Sequence, residues 1–172
     1  RLGFQLELAH WFYEDHYADV YDTVPHMKFP TFVAKLVSKF GLLSGKRTAE
    51  QLVEEFKKYK YSIPVYGCII FNETLTKVLL VRSWGGKTWT FPRGKINEGE
   101  EEAVCGVRET LEETGFDASR LLVPTRYISL PAWSQTGKLY IVAGVPESTP
   151  FAPLARKEVS GIDWFPIGDL PK

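Results

Sequence analysis

The sequence predicts an α+β protein in which a small all-α domain is followed by a mixed α/β domain. Through about the first 60 positions, apolar residues recur at three- and four-residue steps, which is typical of amphipathic helices. After position 62 they fall instead in short β-branched or aromatic runs, which is typical of strands. We therefore predict a helical domain over residues 1–61, a hinge at 62–64 and a second domain over 65–172.

Three helices are predicted in the first domain. The first begins at Leu2 and its apolar stripe continues to Val20. The second ends at Phe40, because Gly41 suits the left-handed conformation of a helix C-cap. The third opens with Thr-Ala-Glu-Gln at residues 48–51, which is the spacing of a capping box.

The second domain is predicted to be a sheet with one helix. The candidate strands span residues 65–71, 77–81, 89–91, 126–130, 139–145 and 162–165. Residues 72–76 join the first two strands as a hairpin, and the helix spans residues 100–114. In that helix we expect Ala103, Val104, Val107 and Leu111 to face the core.

Composition excludes several classes of protein. The 172 residues are 44% apolar and 24% charged, which is enough apolar material for a packed core. No apolar run approaches the roughly 18 residues of a membrane-spanning helix. Lys plus Arg and Asp plus Glu both number 21, so no overall basic charge points to a nucleic acid. Two cysteines, Cys68 and Cys105, indicate reduced thiols in a cytosolic setting. Because the chain begins at Arg1 and its only methionine is Met27, we interpret it as a fragment.

The predicted helix of the second domain is unusually acidic. Residues 98–113 contain seven glutamates and one base, Arg108: Glu98, Glu100, Glu101, Glu102, Glu109, Glu112 and Glu113. We expect Glu102, Glu109, Glu112 and Glu113 to cluster opposite the apolar stripe, where like charges three or four residues apart repel. A solvated helix face is the ordinary interpretation of such a run. Clustered carboxylates with little counter-charge favour instead a site for Mg²⁺ or Mn²⁺.

The fixed spacing of this segment resembles a known signature. The string Gly94-x5-Glu100-x7-Arg108-Glu109-Thr110-x-Glu112-Glu113-x-Gly115-Phe116 is similar to the Nudix box of hydrolases that cleave nucleoside diphosphates linked to another group. Thr110 departs from the family, which usually has Ile, Leu or Val there. That departure affects local packing more than chemistry, because the carboxylates are intact.

The Nudix resemblance implies an α/β/α sandwich and a set of roles. Glu109, Glu112 and Glu113 are expected to bind Mg²⁺ or Mn²⁺ and the substrate pyrophosphate, and one carboxylate accepts the proton of the attacking water. Arg108 is expected to hold the glutamates in place. The bases just before the helix are Arg93 and Lys95, and they are candidate phosphate contacts. The alternative, that they are ordinary exposed loop residues, is an equally good interpretation.

Segments outside the box resemble the catalytic-subunit family of the eukaryotic mRNA-decapping complex. They are residues 4–15, 59–67, 89–95 and 156–164, so the resemblance runs over nearly the whole chain. It implies an mRNA-decapping pyrophosphohydrolase that releases 7-methyl-GDP and 5′-monophosphate RNA. It also implies that Glu158 is a further metal ligand or the general base. Which of Glu158, Glu112 and Glu113 is the general base stays open. Arg93 departs from the lysine that is more common in the family.

Trp11 and Asp15 are the candidate cap-binding pair. Their i, i+4 spacing in a helix places an indole face and a carboxylate side by side. A cationic 7-methylguanine base would stack on Trp11 while Asp15 accepts its N1 and N2 hydrogens. Without the resemblance, Trp11 is more readily interpreted as a core or interdomain residue. With it, we expect a composite site in which the helical domain binds the base and hinge closure supports turnover.

The resemblance carries expectations about partners and location. They are capped mRNA, a small decapping-activator subunit bound to the helical domain, further mRNA-decay factors, no membrane, and a cytoplasmic location in mRNA-decay granules. Two alternatives remain. One is a Nudix hydrolase of dinucleoside polyphosphates or inositol pyrophosphates, and the other is a catalytically silent module that binds capped ligands.

Overall fold

The computed structural model describes residues 2–43, 47–131, 135–154 and 158–171. The chain divides into two compact units, Arg1–Ser62 and Ile63–Lys172. Within the described ranges, every helix is too short or too polar to cross a bilayer. The predicted order of an all-α region followed by a mixed α/β region is confirmed.

Three helices build the first unit. They are α1 (Leu2–Tyr13), α2 (Phe29–Phe40) and α3 (Ala49–Ser62), and a π-helical turn, Glu14–Ala18, continues from α1. Gly41 adopts φ +58° at the end of α2, as predicted. The predicted capping box opens α3, since the Thr48 N–H donates to Gln51 Oε1 at 3.0 Å and the Gln51 N–H donates to Thr48 Oγ1 at 3.2 Å. Buried residues from all three helices form the core: Leu6, Val33, Leu52 and Val53.

A seven-stranded mixed sheet forms the second unit. Its strands are β1 (Val65–Asn72), β2 (Lys77–Ser83), β3 (Trp89–Thr90), β4 (Arg93–Lys95), β5 (Tyr127–Ser129), β6 (Gly137–Val145) and β7 (Val159–Pro166). The order is β3-β2-β1-β6-β5, with β4 also paired to β1 and β7 to β2. β1 lies parallel to β6 and antiparallel to β2 and β4. β1 is buried on both faces, because Cys68 and Ile70 join one core cluster and Ile69 joins another.

Strand β4 is absent from the sequence-based prediction. It has three residues, includes a glycine and lacks apolar alternation, so its pairing with Val65–Gly67 of β1 leaves no local signal. The other predicted strands form at nearly the expected positions, each within a few residues of its predicted ends.

Helix α4 (Glu102–Thr114) forms as predicted, but the predicted core face is only partly right, since Ala103 packs against the core whereas Val104 does not. Val104 is exposed, and the buried residues of α4 are Cys105, Gly106, Thr110 and Thr114. These small residues allow a close approach to the sheet, since a Cβ at Gly106 would lie 2.9 Å from the Tyr140 ring. An apolar stripe alone therefore misplaces the rotation of this helix.

The predicted grouping of glutamates is also wrong in part. Glu102 accepts hydrogen bonds from the Tyr66 hydroxyl at 2.8 Å and from Lys138 Nζ at 2.5 Å, so a sheet partner draws it away from the cluster. Glu109 and Glu113 lie toward β4 rather than opposite the core. The corrected rotation places two carboxylates in the crevice between α4 and β4.

Candidate active site

The C-terminal end of α4 is attached to the segment that precedes Glu158. The Ala152 N–H donates to the Thr114 carbonyl at 2.9 Å, and the Leu154 N–H donates to the Glu112 carbonyl at 2.8 Å. Carbonyls in the last turn of a helix lack intrahelical partners, so these bonds satisfy them. They also fix the segment of residues 152–154 against the end of α4.

Arg108 connects several groups around the acidic crevice. Its guanidinium donates to both carboxylate oxygens of Glu100, at 2.7 and 2.9 Å, and to the Lys95 carbonyl at 3.0 Å. One of its nitrogens also donates to Glu109 at 2.7 Å and to Glu112 at 3.2 Å. The planar guanidinium suits bidentate pairing with a carboxylate. Arg108 therefore holds Glu109 and Glu112, two of the candidate metal ligands, in a fixed arrangement with Glu100.

Glu100 orients Arg108. The hydrogen bonds from Arg108 lower the pKa of Glu100 to about 2, although partial burial acts in the opposite direction. The Asn97 N–H adds a bond of 2.9 Å to the same carboxylate. Glu100 is therefore an ionised anchor within the protein, distinct from the carboxylates that face the crevice.

Glu109 and Glu113 form the partly buried pair of the crevice. Glu113 accepts a hydrogen bond of 3.0 Å from the Arg93 N–H in β4. A Cβ at Gly94 would clash with the Glu109 carboxylate, so only glycine leaves room for that carboxylate beside β4. Backbone geometry of β4 thus sets the positions of both carboxylates.

The electrostatics of this pair indicate an excess of negative charge. Burial raises the pKa of Glu113 to about 7, and the charges of Glu109 and Glu158 add to that rise against the Arg93 hydrogen bond. Burial also raises the pKa of Glu109, with further contributions from Glu112 and Glu158 against the opposing effect of Arg108. The carboxylates of α4 and that of Glu158, which immediately precedes β7, are therefore within electrostatic reach of one another.

A divalent cation fits this donor set. Carboxylate oxygens are the ligands that Mg²⁺ and Mn²⁺ prefer, and a cation would stabilise the ionised form of carboxylates whose pKa values are raised by burial and, to a lesser extent, by one another's charge. Over the ranges that the structure describes, no group of three or more His, Cys, Asp or Glu side chains is arranged to hold a metal ion by itself. Arg108 and the β4 backbone hold the carboxylates instead, and Mg²⁺ typically completes its shell with water and substrate phosphates.

Glu158 lies at the start of β7, in an exposed position. Its carbonyl accepts the Trp84 N–H at 2.7 Å, and its carboxylate acts electrostatically on Glu109 and Glu113. A residue 45 or more positions from these glutamates thus reaches their site through the pairing of β2 with β7. The preceding residues of its resemblance segment, Arg156 and Lys157, lie outside the described residues.

The two candidate phosphate contacts flank Gly94 in β4. The Arg93 side chain is half-buried, and its charge lowers the pKa of Glu113. Lys95 contributes its carbonyl to Arg108, and its side chain is partly buried. The charge of Arg93 thus acts on one carboxylate of the pair, that of Glu113.

Trp11 and Asp15 lie in the helical unit. Trp11 is in α1 and its side chain is 49% exposed, so it is not a core residue. The ammonium of Lys60 lies 5.6 Å from the Trp11 ring centroid and forms a 2.6 Å ion pair with Glu7. Asp15 falls in the π-helical turn, whose wider turn changes the i, i+4 geometry that a continuous α-helix predicts.

Sequence reasoning assigned no individual role to Glu100 or to Gly94. Both occur in the box string, and their fixed spacing from Arg108 and Glu109 was the available signal. The reason for each position is visible only in three dimensions, as an anchor for the guanidinium and as space for a carboxylate.

Comparisons with known families match both units. A family model described as "NUDIX domain" matches residues 62–172, and one described as "Dcp2, box A domain" matches residues 1–59. The first match alone covers more than half of the chain.

Individual relatives match the chain to different extents. It is 41% identical over 171 residues to the mRNA-decapping enzyme subunit 2 of Arabidopsis thaliana, which covers 99% of this chain and 46% of that protein. It is 37% identical over 171 residues to the m7GpppN-mRNA hydrolase of Saccharomyces cerevisiae, covering 98% and 18%. A shorter match, 44% over 52 residues, is to the asymmetrical bis(5′-nucleosyl)-tetraphosphatase of Rattus norvegicus, covering 30% and 35%. The chain spans less than half the length of the decapping proteins it matches.

Proposed function

The chain belongs to the NUDIX family, and from that premise we propose that it is a metal-dependent mRNA-decapping pyrophosphohydrolase. Its products are 7-methyl-GDP and RNA with a 5′-monophosphate. The observation that carries this proposal is the match of 98% or more of the chain, both units included, to proteins named for decapping or for m7GpppN-mRNA hydrolysis. The partly buried carboxylate pair of Glu109 and Glu113 supplies the chemistry that such a reaction needs.

The proposed metal ligands are Glu109, Glu112, Glu113 and Glu158. Enzymes of the NUDIX family generally need divalent metal ions, and we propose Mg²⁺ or Mn²⁺ for this chain. When bound, the ions neutralise phosphate oxygens and activate a water for attack. Arg108 keeps Glu109 and Glu112 in place through its bonds to them.

A carboxylate accepts the proton of the attacking water, and three candidates remain for that role. Glu113 is ordered by the Arg93 N–H, Glu112 is bound by Arg108, and Glu158 is exposed at the start of β7. We favour Glu158, because its exposed position leaves its carboxylate accessible to the attacking water. Arg93 and Lys95 are proposed to contact the substrate phosphates.

Trp11 and Asp15 are proposed to bind the methylated base. A 7-methylguanine ring is cationic, so stacking on an exposed indole gains about 0.5–2 kcal/mol from the cation–π interaction. Because Lys60 already lies over the Trp11 ring, the base is expected to use the other face or to displace that ammonium. Trp11→Ala is expected to reduce hydrolysis of methylated more than unmethylated capped RNA. Equal losses on both caps would contradict this assignment.

The direct test of the function is hydrolysis of cap-labelled RNA with Mg²⁺ or Mn²⁺. Release of 7-methyl-GDP that requires metal supports the proposal, and cleavage of small polyphosphates alone contradicts it. Glu158→Gln is expected to abolish most of the release, whereas Glu98→Gln is a matched control on an exposed loop before α4. Full activity of Glu158→Gln would remove Glu158 from the chemistry. Binding of capped RNA without any turnover would instead identify a silent module.

Hydrolysis of dinucleoside polyphosphates is the second candidate. The match to the tetraphosphatase favours it, but that match covers 30% of the chain against 98% or more for the decapping proteins. A competition assay between capped RNA and diadenosine tetraphosphate separates the two. We expect capped RNA to be the preferred substrate by kcat/KM.

The partners of the helical unit are also proposals. We propose that residues 1–59 bind a small decapping-activator subunit, that further mRNA-decay factors join it, and that the protein is cytoplasmic and found in mRNA-decay granules. Affinity purification with residues 1–62 deleted, compared with the intact chain, tests the first point. A partner retained after that deletion would contradict it.

A further inference from the structure

Two tryptophans of the described residues present a large exposed surface. The exposed fraction is 49% for Trp11 and 59% for Trp84, whereas Trp89 and Trp164 pack against aromatic rings of the sheet unit. Trp11 has a proposed role in base recognition, and Trp84 has none. An exposed indole does not gain the free energy that burial would contribute, so the contacts around Trp84 bear on its role.

The backbone around Trp84 is held in a defined turn. The Gly86 N–H donates to the Ser83 carbonyl at 3.0 Å, and Gly85 has φ +69°. This places Trp84 at the second position of a β-turn and the glycine at the third, where a positive φ is required. Ser160 adds a 3.1 Å bond from its hydroxyl to the Ser83 carbonyl. The turn that presents the indole is therefore rigid, while the indole itself is exposed.

The same turn is attached to the candidate active site. The Trp84 N–H donates to the Glu158 carbonyl at 2.7 Å, and Ser83 pairs with Val159 where β2 meets β7. Glu158 in turn acts on the carboxylates of the crevice. The backbone that carries the Trp84 indole is thus bonded to the backbone of a proposed active-site residue within one unit of the protein.

An exposed indole whose backbone is bonded to that of Glu158 suits one class of ligand, a nucleotide base. In a nucleotide chain the base lies one ribose from the phosphates, so a site that binds the phosphates has a base within a few ångströms. Bases of any identity stack on aromatic side chains, and each such stack contributes about 1–3 kcal/mol in single-stranded nucleic acid complexes. A platform without base-specific contacts suits an mRNA, whose first nucleotide varies.

We propose that Trp84 stacks on the base of the first RNA nucleotide, on the RNA side of the phosphate chain that is cut. This inference rests on the proposed decapping function. It gives the two exposed tryptophans separate tasks, with Trp11 for the methylated base and Trp84 for the base that follows the phosphates. Because the turn is already ordered, binding has to order only the side-chain torsions of Trp84, which keeps the entropic cost of binding small.

The test compares two capped RNAs that differ only at the first nucleotide. One carries adenosine and the other an abasic ribose at that position. We expect the wild-type chain to prefer the adenosine substrate by about tenfold in kcat/KM, mainly through KM, because stacking stabilises the bound substrate and the transition state alike. Trp84→Ala is expected to bring this preference close to one, and Trp84→Phe to retain most of it.

Controls separate stacking from a general loss of structure. Leu121→Ala truncates another exposed apolar residue of the same unit and should keep the tenfold preference. Thermal unfolding of Trp84→Ala should match that of the wild type, because the indole is mostly exposed. An adenosine preference that survives in Trp84→Ala, with cleavage intact, would overturn the inference and leave decapping untouched. Absence of cap cleavage by the wild type would instead overturn the proposed function, and this inference with it.

A binding measurement without turnover completes the test. In EDTA, capped RNA with 2-aminopurine at the first position should lose fluorescence on binding the wild type, as expected for a stacked base. Trp84→Ala should remove that quenching, while Leu121→Ala should keep it. Equal quenching by the Trp84→Ala variant would show that the base stacks elsewhere.

Discussion

Helices α3 and α4 have similar lengths, 14 and 13 residues, but use their charged residues differently. In α3 the buried residues are Leu52, Val53 and Phe56, and the charges face water, as in the 3.0 Å pair of Lys58 with Glu54. This is the usual amphipathic arrangement, in which apolar burial stabilises the helix. α3 therefore serves the fold of its own unit.

α4 differs from α3 in both its buried residues and its charged ones. Its buried residues are small or polar, and two of its carboxylates, Glu109 and Glu113, lie in a partly buried crevice where burial and, to a lesser extent, neighbouring carboxylates raise their pKa. Such crowding destabilises the folded chain unless a cation is present, so its presence indicates a function in binding. The comparison shows that helices of equal regularity differ in what their charges do.

The largest expected effect is the loss of activity on removing one crevice carboxylate. Glu113→Gln should lower cap hydrolysis by about 10²–10⁴-fold, because Glu113 is both a proposed metal ligand and a candidate base. The same change in α3, Glu54→Gln, should leave the rate unchanged. Single-turnover rates with Mg²⁺ measure both. Equal rates for the two variants would erase the functional difference between the helices.

A methyl group at Gly94 should also lower activity, with little effect on folding. The added Cβ of Gly94→Ala displaces the Glu109 carboxylate, and we expect a rate loss of about 10–100-fold, the range typical of disturbed metal-ligand support. Gly168→Ala is the matched control, since its Cβ would meet open space. If both variants cleave capped RNA at the wild-type rate, β4 does not position Glu109.

Stability should depend on pH through Glu100. Its pKa falls from 4.5 to about 2 in the folded protein, so its contribution is complete above about pH 5 and is lost as the pH falls toward 2. At pH 7 we expect Glu100→Gln to lower the free energy of unfolding by about 1–3 kcal/mol, as for hydrogen bonds to charged groups.

Urea denaturation at several pH values measures this contribution. The difference between the wild type and Glu100→Gln should shrink steadily between pH 5 and the lowest pH at which both chains still fold. A difference that stays constant with pH would mean that Arg108 does not depend on the ionised form of Glu100.

The smallest effect is expected in α3. Exposed i, i+4 ion pairs contribute about 0.2–0.5 kcal/mol, so Glu54→Gln should lower the free energy of unfolding by no more than that. The loss should disappear in 1 M salt, because surface pairs are screened. A loss as large as that of Glu100→Gln would contradict the contrast between the two helices.

Much of this architecture could be predicted from sequence. Gly41 and the capping box at Thr48 gave correct helix ends, because those signals are local and depend on backbone geometry. The apolar runs gave β1 and β6 for the same reason. The spacing of the acidic residues in α4 gave the candidate site before any contact was known.

Other features depend on contacts between distant segments. The rotation of α4 was mispredicted, because small residues such as Gly106 pack as closely as large apolar ones. β4 forms only by pairing with β1, and the environment of Trp84 arises where β2 meets β7. These features need the register between strands, which periodicity along the chain does not contain.

The central claim is that Glu109 and Glu113 belong to a divalent-metal site, and Mn²⁺ binding tests it most directly. Titration of the wild type followed by the Mn²⁺ electron paramagnetic resonance signal should show saturable binding that Glu109→Gln with Glu113→Gln removes. The matched double change Glu54→Gln with Glu55→Gln in α3 should leave it intact. Undiminished Mn²⁺ binding after loss of both crevice carboxylates would contradict the account.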